Sequence, residues 1–217
     1  MMATKFHVLC FGDSNTWGYI PLTAERYPRE VRWAGIMSGL LGSDFEIIEE
    51  GLNGRTTVWD DPIEGDKNSL QYLPACLESH KPLDLVILML GTNDLKARFS
   101  LTALDIAFGV ERLAKLILHS NCGIGGQSPA ILLAAPPPVL PQGDLEEMFL
   151  GAREKSTQLA GHYAAVAERC GCAFLDVSQV IAVDSADGIH YNPQAHNLLG
   201  KVMANRVRAI LTAKQQG

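Results

Sequence analysis

Five short apolar runs, each separated from the next by a helical pattern, constrain this chain more than any other feature. The runs are Phe6–Phe11, Phe45–Glu49, Leu85–Leu90, Ile131–Ala135 and Ala173–Val177. They are rich in Leu and β-branched residues and lack strict polar/apolar alternation, the pattern of strands covered on both faces. Between and after them, helices are expected over about Arg29–Leu41, Ser69–Ser79, Leu101–His119, Leu145–Arg169 and Pro193–Thr212. Gly42 and Gly171 stand where helices stop, and Pro193 suits a first helical position. Strand–helix alternation of this kind predicts an α/β fold, a three-layer α/β/α sandwich around a five-stranded parallel sheet. Right-handed crossovers leave few strand orders, and a flavodoxin-like 2-1-3-4-5 is expected. At 217 residues and ~150 residues per domain, residues 1–217 are read as one domain.

In such a sheet the ligand lies beyond the carboxyl ends of the strands. The segments that follow the strands are the polar, Gly-rich parts of the chain. They are Gly12-Asp13-Ser14-Asn15-Thr16-Trp17-Gly18, Gly51-Leu52-Asn53-Gly54-Arg55-Thr56-Thr57, Gly91-Thr92-Asn93-Asp94 and Asp187-Gly188-Ile189-His190-Tyr191-Asn192. All should face one edge of the sheet.

The chemistry they fit is acyl transfer. A serine hydroxyl becomes nucleophilic when a base removes its proton. Ser14 stands at a tight strand-to-helix turn, and His190 supplies the base. Asp187, three residues earlier, is placed to hold the imidazole tautomer. The oxyanion formed on attack needs fixed donors. The candidates are the Ser14 N–H, the Gly54 N–H and the Asn93 side-chain amide, and at Gly54 the missing side chain lets the backbone approach a ligand.

These blocks resemble those of the SGNH (GDSL-type) hydrolases in order and spacing over nearly the whole chain. Within that family, Gly-Asp-Ser-x-Thr-Trp-Gly followed by Arg-Thr-Thr is similar to the bacterial arylesterase/acyltransferase branch. Asn15 stands where the namesake motif has Leu. The resemblance implies Ser14, Asp187 and His190 as a triad, with Ser14, Gly54 and Asn93 as the oxyanion hole. It also implies short-chain ester substrates, no cofactor and a homo-oligomer.

Other readings are weaker. Asp187, His190 and His196 are metal-ligand types, but no Asp-x-His follows the first strand, so no catalytic metal is expected. His196, inside the last helix, reads as a surface or packing residue. Asp13 and Asp94 read as loop braces. Trp17 and Tyr191 are candidate substrate contacts, with Tyr19 and Trp59 as further aromatics beside the polar segments. Loop bracing is expected of Arg55. The Gly-x-Ser-x-Gly elbow of α/β-hydrolases and the phosphate-binding Lys motif are both absent. A carbohydrate O-acetylesterase uses the same chemistry on another alcohol. A non-catalytic, small-molecule-binding flavodoxin-like module is a more distant alternative.

Composition narrows the partners. Net charge is −6, from 18 Lys+Arg against 24 Asp+Glu, with no basic block, so a nucleic-acid partner is not expected. No run of ~18 uncharged apolar residues offers a membrane span. The five cysteines at 10, 76, 122, 170 and 172 are irregularly spaced and read as reduced thiols. With no signal-peptide pattern before the first strand, the cytoplasm is the expected compartment. Asn53–Asn68 and Pro136–Asp144 exceed simple connections and are expected to shape a pocket or a subunit contact.

Overall fold

A computed structural model describes residues 5–215 of the protein. The strands are β1 (Phe6–Gly12), β2 (Phe45–Gly51), β3 (Leu85–Met89), β4 (Ala130–Ala135) and β5 (Ala173–Asp176). They form one parallel sheet in the order β2-β1-β3-β4-β5, as the alternation predicts. The helices are α1 (Ser14–Trp17), α2 (Trp33–Leu41), α3 (Ser69–His80), α4 (Ala103–Leu118), α5 (Leu145–Met148), α6 (Ala152–Cys170) and α7 (Pro193–Gln215).

The period-2 geometry of each strand splits its side chains between two cores. Val8 and Cys10 of β1, with Ile87 of β3, pack against α2 and α7 through Trp33, Met37, Leu199 and Met203. Leu9 and Phe11, with Leu88, face α3, α4 and α6 through Leu73, Val110 and Leu159. Both faces of the sheet are therefore covered, which is why the strands read as continuous apolar runs rather than alternating ones. The cysteines are free, with Cys10, Cys76 and Cys122 buried.

Two helix expectations need correction. The segment expected as one helix over Leu145–Arg169 is two, because Gly151 takes φ +75° between α5 and α6. The helix expected from Arg29 begins at Trp33, since Arg32 is extended at ψ 142°. There the side chain is drawn into tertiary bonds, with Nε donating to Glu49 Oε2 at 2.8 Å and Nη1 to the Tyr27 carbonyl at 2.9 Å. Local helix propensity is outweighed by those contacts. No helix among the described residues is long and apolar enough to cross a membrane.

Candidate active site

The loops after the strands converge at one edge of the sheet, as expected for this architecture. β1 ends at Gly12, and Asp13 turns the chain into α1 by accepting from the Asn15 N–H at 2.9 Å. Ser14 is thereby the first residue of a short helix, with its hydroxyl at the edge. Arriving from the other end of the chain, His190 places Nε2 3.0 Å from Ser14 Oγ. Its Nδ1 lies 2.7 Å from Asp187 Oδ2.

The second carboxylate oxygen of Asp187 is also occupied. Oδ1 accepts from the Ile189 N–H and the His190 N–H, both at 2.9 Å. Burial pushes this carboxyl up, but the His190 ring and those two backbone donors outweigh it and hold it below the ordinary carboxylate range. Asp187 is thus kept ionised beside a ring whose two nitrogens are both engaged.

Gly188 explains how so compact a loop closes. It sits at φ +72°, and a Cβ there would overlap the Leu140 carbonyl. The Leu140 N–H donates to the Gly188 carbonyl at 2.8 Å and the Gln142 N–H to that of Asp187 at 3.0 Å. The long 136–144 loop therefore backs the Asp187–His190 turn. No sequence pattern pairs those two segments.

Gly54 and Asn93 are brought together as well. Asn93 Nδ2 donates to the Arg55 carbonyl at 3.1 Å, which leaves its second amide hydrogen free. Arg55 braces this loop. Its Nη1 donates to the Gly12 carbonyl at 2.9 Å and to the Glu50 carbonyl. The guanidinium lies over Phe11, 4.1 Å from the ring centroid. Asp94 is fully buried and accepts from the Thr57 N–H at 3.0 Å and from the Thr57 hydroxyl. Burial pushes its carboxyl up to about 6, partly offset by those Thr57 bonds.

The aromatic residues divide. Tyr19 stacks on the His190 ring with centroids 4.2 Å apart, and Trp17 lies beside Tyr19 under the Arg26 guanidinium. Tyr191 does not line the site. It is 1% exposed and packs in the α2/α7 core, edge-on to His196. With His190 turned towards Ser14, the next side chain faces the opposite way, into that core. His196 is a packing residue, its Nδ1 accepting from the Trp33 N–H at 3.2 Å. Burial, then the charges of Arg32 and His190, pull it down to about 4.

Among the described residues, one set of three metal-ligand side chains gathers within 4.8 Å, namely Glu50, Cys76 and His80. Glu50 is already engaged there, by His80 Nε2 at 3.0 Å and the Tyr72 hydroxyl at 3.1 Å. A cavity of about 650 Å³ opens beside this group, walled by Glu50, Leu52, Arg55, Asp60, Lys67 and Tyr72 among others, with Ser14 and His190 not among its walls.

Known proteins resemble this chain in sequence and in fold. The family described as GDSL-like Lipase/Acylhydrolase matches residues 10–198, a span that includes all four polar segments. A native aryl esterase from M. smegmatis superposes with TM-score 0.90 at 44% identity, covering 94% of this chain and 99% of its own. Est24, a carbohydrate acetylesterase from Sinorhizobium meliloti, superposes with TM-score 0.92 at 45% identity, covering 95% and 100%. A lipolytic G-D-S-L protein from Veillonella parvula shares the fold, with TM-score 0.63 at 16% identity over 90% and 94%. No curated protein matches the sequence. A match from Cys10 to Leu198, together with two esterases of like fold and more than two-fifths identity, makes this chain a member of the GDSL-like lipase/acylhydrolase (SGNH hydrolase) family.

Proposed function

We infer that the protein is a serine esterase acting on short-chain acyl esters, with Ser14 as nucleophile. The observation that carries this reading is the unbroken chain from Ser14 Oγ through His190 to Asp187, at 3.0 and 2.7 Å. His190 Nε2 takes the Ser14 proton as Oγ attacks the ester carbonyl. Asp187 holds the proton on Nδ1, so that Nε2 is free to accept. The Ser14 N–H, the Gly54 N–H and Asn93 Nδ2 receive the oxyanion. His190 then protonates the leaving alcohol, and collapse of the tetrahedral intermediate leaves an acyl-enzyme on Ser14. Water, activated by the same imidazole, releases the acid. An alcohol in its place gives acyl transfer.

The test is hydrolysis of p-nitrophenyl acetate, butyrate and octanoate by wild type and Ser14→Ala, with and without chelator. Preference for acetate, persistence under chelation and loss in Ser14→Ala are expected. Activity retained in Ser14→Ala and lost to chelator would overturn the reading.

A second reading, O-deacetylation of a carbohydrate, is favoured by the likeness to a carbohydrate acetylesterase at 45% identity. It uses the same residues, and a higher kcat/KM on acetylated sugars than on aryl acetates would select it.

A further inference from the structure

The two candidate oxyanion donors outside α1 belong to segments almost forty residues apart in sequence. Something must fix their separation to a few tenths of an ångström, because donors act only when they meet the developing oxyanion at ~2.7–3.1 Å. One link is the bond from Asn93 Nδ2 to the Arg55 carbonyl. A second link is built from charged side chains of the 53–68 loop and of the turns that follow β3.

Asp61 starts it. Its Oδ1 accepts from the Ile63 N–H at 2.9 Å and the Glu64 N–H at 3.1 Å, and its carbonyl from the Gly65 N–H at 3.1 Å. This tight turn sends the Glu64 side chain back across Gly54. A Cβ on Gly54 would overlap Glu64 Oε2, and Gly54 itself sits at φ +80°. The other oxygen, Glu64 Oε1, accepts from Lys96 Nζ and from Arg98 Nη2, the latter at 3.1 Å. Arg98 Nη1 reaches Asp61 Oδ1 at 3.3 Å. Lys96 exposes only 4% of its side chain. Its own N–H donates to the Asn93 carbonyl at 3.2 Å, closing the short turn on which Asn93 sits. The contacts form a ring: Gly54, Glu64, Lys96, Asn93, Arg55 and back to Gly54.

An ion pair with one partner buried, as Lys96 is here, is a poor device for stability alone. Its desolvation cost rivals its attraction, and apolar replacements often do as well. Its geometric value is different, since charge-assisted bonds are short and directional. We propose that Glu64 and Lys96 are positioning residues, which set the separation of the Gly54 N–H and Asn93 Nδ2 across the oxyanion site without touching the substrate. The absence of a side chain at position 54 is part of the device, because it seats the carboxylate. This inference rests on the reading of Ser14 as nucleophile.

The test compares p-nitrophenyl acetate with its thionoester analogue, in which sulfur replaces the carbonyl oxygen. Sulfur is larger and a weaker acceptor, so preset donors help it less. A defect in donor placement therefore lowers the oxygen/thiono rate ratio, whereas a general loss of active protein lowers both rates equally. Glu64→Gln is expected to lower kcat on the oxygen ester about 10-fold or more, with KM within about 2-fold and a reduced oxygen/thiono ratio. Lys96→Met should do the same, and Glu64→Asp should recover part of the loss. Lys96 is buried and its variant is checked by thermal melting. Glu64 is partly exposed, so Glu64→Gln decides the matter if Lys96→Met does not fold. Unchanged kcat in Glu64→Gln, or equal losses on both esters, would overturn the proposal. Ser14→Ala separates the two claims. Hydrolysis persisting in Ser14→Ala sinks the reading of the site, whereas a dead Ser14→Ala beside an unaltered ratio in Glu64→Gln sinks the positioning role alone.

Discussion

Replacing Asp187 by asparagine should abolish activity while leaving the fold nearly intact, and the contacts of Asp187 say why. Its Oδ1 is held by two backbone N–H groups and its Oδ2 faces His190 Nδ1. An asparagine must turn its carbonyl oxygen to the two N–H groups, because its NH₂ cannot accept from them. The NH₂ then faces Nδ1 and donates to it. Nδ1 becomes an acceptor, the ring proton moves to Nε2, and Nε2 can no longer accept from Ser14. A wrong tautomer in a Ser-His-Asp arrangement costs about 10⁴-fold in rate, or about 5.5 kcal/mol at the barrier. Stability should fall by only about 1–2 kcal/mol, since both backbone bonds survive and one charge-assisted bond is exchanged for a neutral one. Asp187→Ala is the contrast. It leaves two buried N–H groups without a partner, at about 1–3 kcal/mol each, and frees the ring to choose its tautomer. Asparagine should thus be the more stable variant and no more active than alanine. The assay is kcat/KM on p-nitrophenyl acetate with urea denaturation of each variant, and ¹⁵N chemical shifts of the His190 ring. Asp187→Asn active to within about 10-fold of wild type, or its ring protonated on Nδ1, would refute the tautomer argument.

Gly188→Ala should destabilise the protein by about 2–5 kcal/mol, summing left-handed strain of ~1–2 with overlap against the Leu140 backbone of ~1–3; an unchanged urea midpoint would show that the 136–144 loop simply moves aside. Arg55→Met should cost about 2–4 kcal/mol, because two carbonyls each lose a charged donor, that of Gly12 keeping the Leu52 N–H, and the stack on Phe11 loses its charge; calorimetry would measure it. Asp94 gives a pH signature. Its folded pKa of about 6 lies above the ordinary ~4 of the unfolded chain, so its contribution is complete below pH ~4 and is lost as pH rises through ~6. The difference in stability between wild type and Asp94→Asn should accordingly drift by about 3 kcal/mol between pH 4 and 7. A constant difference would mean that Asp94 stays ionised throughout.

The sheet was legible because a strand with both faces covered writes an uninterrupted apolar run, and β1, β3 and β4 do so. The convergence of Ser14, Gly54, Asn93, Asp187 and His190 was legible for a related reason: in a parallel sheet the polar segments after the strands must share an edge. What stayed hidden depends on pairings at large separation. Arg32 leaves the helix because Glu49 and the Tyr27 carbonyl hold it. Glu64 meets Lys96 across thirty-two residues, where no periodicity links them. Tyr191 was misread for a local reason. Its place next to His190 suggested the pocket, but the bend at His190 leaves the Tyr191 ring in the α2/α7 core.

The separation of Ser14 from His190 by 176 positions has a consequence in time as well as in space. Ser14 leaves the ribosome 176 residues ahead of His190. A nascent chain that ends after β5 already holds every strand of the sheet, yet it lacks Asp187, His190 and the α7 helix that covers one face. On the proposed mechanism, ester hydrolysis therefore requires that synthesis has passed His190. In a refolding experiment it should appear after the far-ultraviolet signal of the sheet and helices, together with burial of Trp33 beneath α7.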